Sequence, residues 1–170
     1  MVVRVGFRSE KERDKTHFRR AEGDFGATLE TITMVRLTRE PIDGGQLVRA
    51  VGRDHCGAAV LFLGTVRDLT GDQMTIALDY DAYPGMAEKV LAEIEADVRG
   101  RWPVGDLAIE HRLGRLNVGE ISVAVAVSCP HRAEAFEACR YAMDRVKELA
   151  PIWKKENWAD GRTEWVHPGT

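Results

Sequence analysis

Apolar runs long enough to cross a bilayer, roughly 18 residues or more, do not occur in this sequence. The first thirty residues carry charge where a secretory leader needs an apolar segment, so neither a membrane span nor an export signal is expected. Cysteine is scarce: Cys56, Cys129 and Cys139 are odd in number and form no C-x-x-C pair, which excludes a disulfide framework and a thiolate zinc site and fits reduced thiols in the cytoplasm. The five histidines, His17, His55, His111, His131 and His167, show no metal-ligand spacing, so no metal is expected. A basic excess is missing too. With 24 Lys and Arg against 27 Asp and Glu, the formal net charge is -3, which gives no global attraction for nucleic acid or an anionic membrane surface. Internal repeats and a P-loop are also absent, and no bound cofactor is expected. Any anion binding must be local.

The 170 residues are 44% hydrophobic and 30% charged, enough for one domain with a real core. Residues 1–30 are too charged and too poor in apolar residues to order themselves, so a disordered extension is expected before a single domain at 31–170. From Thr31, a two-residue alternation through Leu37 reads as a strand, closed by Pro41. Asp43 is placed to cap a short helix whose inner face is Leu47, Val48 and Val51. Gly57–Val66 is nearly all apolar, the pattern of a central strand covered on both faces. Met74 to Tyr80 alternates as a half-buried strand, most simply its hairpin partner. Pro84 opens an amphipathic helix reaching about Arg99. Two further strands, at about Leu107–Arg112 and Ile121–Ser128, form a second hairpin. The latter has valines and Ile121 on one face, and on the other only Ser122, Ala124 and Ala126, small enough for a close helix. The succession predicts an α+β fold with helices packed against a largely antiparallel sheet.

The last helix is the most informative stretch. Phe136, Cys139, Met143, Val146 and Ala150 recur at three- and four-residue intervals as a core stripe, and Lys147 shares an edge with Arg140 and Met143. Pro151 must stop this helix and send Ile152–Glu156 in a new direction, which allows Lys154 to return toward Lys147. His131 and Arg132 sit where a strand gives way to the helix, beside its free N–H groups, a place suited to phosphate or carboxylate. Taken alone, that pair reads as a strand terminator and a solvated arginine. Arg67, behind Gly64 at the end of the apolar strand, reads most plainly as a surface arginine paired with an acid. Cys129 reads as a small buried hydrophobe at a strand end, not as a nucleophile. Lys147 and Lys154 are the better candidates for chemistry, as nucleophile, proton carrier or compact countercharge.

Six segments together resemble the large, catalytic subunits of molybdopterin synthase: F-L-G-T-V-R-D at 62–68, Y-P-G-M-A-E-K at 83–89, H-R-L-G at 111–114, H-R-A-E-A-F at 131–136, M-D-R-V-K at 143–147 and P-I-W-K-K-E at 151–156. The resemblance runs from about Thr31 to Val166. It implies an α/β-hammerhead type of fold and a sulfurtransferase that converts cyclic pyranopterin monophosphate to molybdopterin. The sulfurs arrive on the C-terminal thiocarboxylate of a small ubiquitin-like carrier subunit. It further implies a homodimer of large subunits within a heterotetramer. By the same resemblance, Lys147 and Lys154 are catalytic, and Phe62, Arg67, His131, Arg132, Met143, Lys155 and Glu156 line the substrate pocket. Thr65 stands where some relatives have lysine. The reading from the residues alone leaves open a noncatalytic adaptor that captures a ubiquitin-like tail in the same recess. Such an adaptor would tolerate arginine at both lysine positions.

Overall fold

The computed structural model describes residues 34–166. The charged extension expected at 1–30, and the expected strand residues Thr31–Thr33, lie outside the described residues. Strand β1 spans Met34–Thr38 and is followed by helix α1, Gly44–Val51. The Asp43 carboxylate accepts the Gln46 N–H at 3.1 Å and caps α1 as its position predicts. Strands β2 (Ala58–Thr65), β3 (Leu69–Thr70) and β4 (Gln73–Ala82) precede helix α2 (Pro84–Arg101). Then come β5 (Leu107–Arg112), β6 (Gly114–Asn117), β7 (Ile121–Cys129), helix α3 (Arg132–Leu149), β8 (Ile152–Trp158) and β9 (Thr163–Val166).

These elements make two sheets. The first has the order β1-β5-β7-β2, with β1 parallel to β5 and the other pairs antiparallel. The second runs β3-β4-β8-β9, with β6 also paired to β4. The fold is thus α+β and largely antiparallel, as the element succession predicts. The two faces of β7 explain the layering. Val123, Val125 and Val127 join Leu107 and Ile109 of β5 beneath α2 and α3. On the opposite face, Ala124, Ala126 and Ala108 leave room for Leu47 and Val51 of α1. Large residues on one side and small ones on the other set the spacing of the helices.

Three expectations need correction. The apolar strand β2 packs against α1 and α3, yet it forms an edge of its sheet and not the centre, and none of its residues is fully buried: Phe62 and Leu63, on opposite faces, both remain exposed. An apolar run reports that helices pack nearby; it fixes neither complete burial nor how many edges are paired. Nor is β4 the hairpin partner of β2, which pairs with β7. Backbone hydrogen bonds between Val66 and Gly119 and Glu120, at 2.8 and 3.0 Å, continue that pairing one residue beyond β2 and hold the chain against the turn before β7. Finally, Phe136 is 62% exposed, and the buried stripe of α3 is Ala135, Ala138, Cys139, Ala142, Met143 and Val146. Ala135 begins the same three-and-four spacing one position earlier, and its small side chain permits the close approach of helix and sheet.

Pro151 stops α3 as expected: Ala150 is already extended, at φ -67° and ψ 123°. The chain then enters β8, which pairs with β4 from Ala82↔Ile152 to Thr75↔Trp158. This strand was not visible in the sequence, because K-K-E-N has no apolar alternation to betray it. No helix among the described residues is long and apolar enough to cross a membrane.

Candidate functional site

Where the end of the first sheet meets β4 and β8, a cavity of about 640 Å³ opens beneath the C-terminal half of α3. From β2 and the segment after it come Phe62, Gly64, Thr65 and Arg67; α3 supplies Met143, Val146 and Lys147; β8 supplies Lys154 and Glu156. Gly64 matters through the side chain it lacks. A Cβ there would stand 2.6 Å from Val123 Cγ1, so the neighbour that exploits the glycine is the adjoining strand.

Alternation along β8 decides which cations face the cavity. Lys154 and Glu156 line it, while Lys155 lies on the opposite face. There its Nζ is 3.2 Å from Asp79 Oδ2 and 5.6 Å from the Trp165 ring centroid. Burial raises the Asp79 pKa, but hydrogen bonds from Asn157 and Lys155 outweigh it and hold the carboxyl below its usual value. Glu156 is only 2% exposed. Lys154 Nζ donates to its Oε1 at 3.0 Å and the Thr75 hydroxyl to its Oε2 at 3.2 Å. The buried carboxylate is therefore engaged on both oxygens and fixes the lysine head at the cavity wall.

Arg67 and Lys147 are different. Both line the cavity, both are exposed, and neither has an ion-pair partner among the described residues. Arg67 is therefore not the acid-paired surface arginine that its position alone suggests. Three cations around one already engaged carboxylate leave the recess with an excess of positive charge that an anionic ligand would satisfy.

His131 and Arg132 lie elsewhere. His131 is the N-cap of α3 without a side-chain cap bond, and Arg132 is the first helical residue; both are exposed. Fifteen residues of helix separate Arg132 from Lys147, about 22 Å along the axis. The recess of this chain therefore brings together Phe62, Arg67, Met143, Lys147, Lys154 and Glu156, but not His131, Arg132 or Lys155. Cys129 is fully buried, and burial, with Cys56 and Glu134 nearby, pushes its thiol up to about 11, so it stays protonated at neutral pH. Four polar lining residues escaped the sequence reading as site candidates: Thr70, Tyr80, His111 and Ser122. Tyr80 could have been suspected as the last inward residue of an alternating strand, but nothing local pointed to His111.

An α+β scaffold holding two lysines and an arginine around one recess defines an anion-binding class of site. The profile of the family described as MoaE protein matches residues 37–149. A molybdopterin synthase catalytic subunit from Halalkalibacterium halodurans is 49% identical over 130 residues, covering 76% of this chain and 83% of the relative. The crystal structure of molybdopterin synthase from Staphylococcus aureus superposes with a TM-score of 0.73 at 42% identity, covering 77% of this chain and 95% of that one. A subunit in the Helicobacter pylori complex of subunits 1 and 2 of molybdopterin-converting factor shares the fold, with a TM-score of 0.63 at 21% identity over 79% of this chain and 90% of that one. The chain belongs to the MoaE family.

Proposed function

We infer that this chain performs the reaction of molybdopterin synthase catalytic subunits in molybdenum cofactor biosynthesis. Cyclic pyranopterin monophosphate is converted to molybdopterin by two sulfur transfers from the C-terminal thiocarboxylate of a small ubiquitin-like carrier subunit. The observation that carries this reading is one shared recess in which Arg67 and Lys147 have no counterion among the described residues and stand beside the anchored Lys154. The substrate's cyclic phosphate and the carrier's terminus are both anions, and releasing sulfur from an acyl group passes through an oxyanion that a fixed cation stabilises. Lys147 orients the thiocarboxylate and stabilises that oxyanion. Lys154, held by Glu156, assists proton movement and opening of the cyclic phosphate. Arg67 holds the phosphate, with Phe62 and Met143 against the ring.

His131 and Arg132 also bind substrate in this reading. The length of α3 keeps them from their own protomer's recess, so they serve the recess of a second copy in a homodimer, with a carrier subunit on each large subunit. Lys155 acts at one remove, bracing β8 through Asp79. The domain at 31–170 carries the activity, in the cytoplasm, where unpaired thiols persist.

Single-turnover sulfur transfer with thiocarboxylated carrier, read by mass spectrometry of the pterin product, tests the assignment. Lys147→Ala should lower the rate by roughly 100-fold or more; unchanged product formation removes Lys147 from the mechanism. An adaptor would incorporate no sulfur even as wild type and would keep carrier binding in Lys147→Arg.

A further inference from the structure

His111 ends the inward-facing row of β5, opposite Val123 of β7, and is 6% exposed at the floor of the cavity. Its Nδ1 lies 3.0 Å from the Arg112 carbonyl oxygen. A carbonyl only accepts, so Nδ1 carries the proton and Nε2 of the neutral ring is a lone-pair acceptor. No described residue bonds Nε2. The His111 side chain lines the cavity, so that is the space its residual exposure meets. The Tyr80 ring packs against the imidazole edge-on, with centroids 5.0 Å apart and planes at 69°, which fixes the imidazole plane.

The rest of the polar lining makes this acceptor distinctive. Arg67, Lys147 and Lys154 can only donate, the hydroxyls of Thr65, Thr70, Tyr80 and Ser122 can turn to donate or accept, and each oxygen of Glu156 already accepts from Lys154 or Thr75, so Nε2 is the acceptor-only group left without a partner among the described residues. An anion satisfies the donors but leaves Nε2 bare. A ligand complementary to the whole recess must present an N–H or O–H at the floor as well as negative charge near the cations. The charged groups around the recess, Arg67, Lys147, Lys154 and the engaged Glu156, together with the phenol of Tyr80, sum to an environment hostile to an imidazolium. Burial likewise lowers the His111 pKa to about 4, so the acceptor form persists at neutral pH.

We propose that His111 is a substrate-contacting specificity residue whose Nε2 accepts a hydrogen bond from a ring N–H of the pterin while the cations hold its phosphate. This rests on the function proposed above and adds the group that would distinguish a nitrogen heterocycle from a bare phosphate ester. A site built around a buried acceptor discriminates strongly against ligands that leave it unpaired.

Calorimetric titration of cyclic pyranopterin monophosphate into the wild type, His111→Phe and His111→Gln tests this, with inorganic phosphate as a second probe. His111→Phe keeps the aromatic contact with Tyr80 and should bind the pterin roughly 10- to 100-fold more weakly. His111→Gln, which returns an oxygen near the Nε2 position, should recover much of that loss, and phosphate affinity should be the same in all three. In the wild type labelled with ¹⁵N-histidine, the Nε2 resonance of His111 should shift upfield with the pterin and not with phosphate. Equal pterin affinity in the wild type and His111→Phe, or an unmoved Nε2 resonance in a pterin-bound wild type, overturns the contact while leaving the sulfurtransferase reading intact. A wild type that binds no pterin overturns both.

Discussion

Acid should expose the buried imidazole of His111 as a stability switch. Burial lowers its pKa from 6.5 to about 4 in the folded protein. As pH falls below 6.5 the unfolded chain takes up this proton while the folded chain does not, so unfolding gains a proton and stability drops. The contribution is complete above about pH 6.5, is lost progressively between 6.5 and 4, and changes no further below 4. At about 1.4 kcal/mol per pKa unit, the full loss is roughly 3 kcal/mol, a large share of the ~5–15 kcal/mol that a domain has. The assay is urea unfolding of the wild type and His111→Gln at closely spaced pH values from 8 to 4. The substitution brings its own cost, but that offset is independent of pH. Asp79 and Glu120, whose pKa values are lowered by their hydrogen-bond partners, titrate alike in both proteins and cancel in the difference. The gap between the two curves should therefore close by about 3 kcal/mol on going from pH 7 to pH 4. Parallel curves would mean that His111 is not held neutral by burial, and would undercut its role as an acceptor.

Other consequences are simpler to read. If Arg132 serves a neighbouring protomer's recess, mixing Lys147→Ala with Arg132→Ala, each inactive alone, should restore roughly a quarter of wild-type activity through mixed dimers with one intact site; no recovery would place both residues in the same recess. Gly64→Ala sets a Cβ against Val123 Cγ1 and should cost about 1–3 kcal/mol in chemical unfolding. Adding Val123→Ala should then cost less than the two changes summed, and strict additivity would refute the contact. Asp43→Ala removes the carboxylate that caps α1 and should lower stability by about 1 kcal/mol without changing sulfur transfer, so an activity loss beyond the unfolded fraction would show that α1 does more than pack.

Local chemistry was legible in the sequence. The Asp43 cap, the start of α2 at Pro84, the stop of α3 before Pro151 and the unequal faces of β7 are each written within a few adjacent residues, because capping, proline geometry and side-chain alternation act over one or two turns or strand pairs. The gathering of Lys147 and Lys154 was legible for the same reason, since one proline controls the return of the chain. Tertiary structure alone decided what depends on partners far away in sequence. An apolar strand reads alike at a centre or an edge, so the place of β2 required its pairing with β7. Whether Phe136 or Ala135 faced inward turned on how closely α3 lies against the sheet. Lys154 and Lys155 are chemically alike neighbours, and only the pairing of β8 with β4 showed which faces the recess. The rigid length of α3 parted Arg132 from Lys147, which a linear reading had placed in one stretch. His111 and Tyr80, thirty-one residues apart on strands of different sheets, meet at the cavity floor because the sheets converge there, a contact that no local pattern encodes.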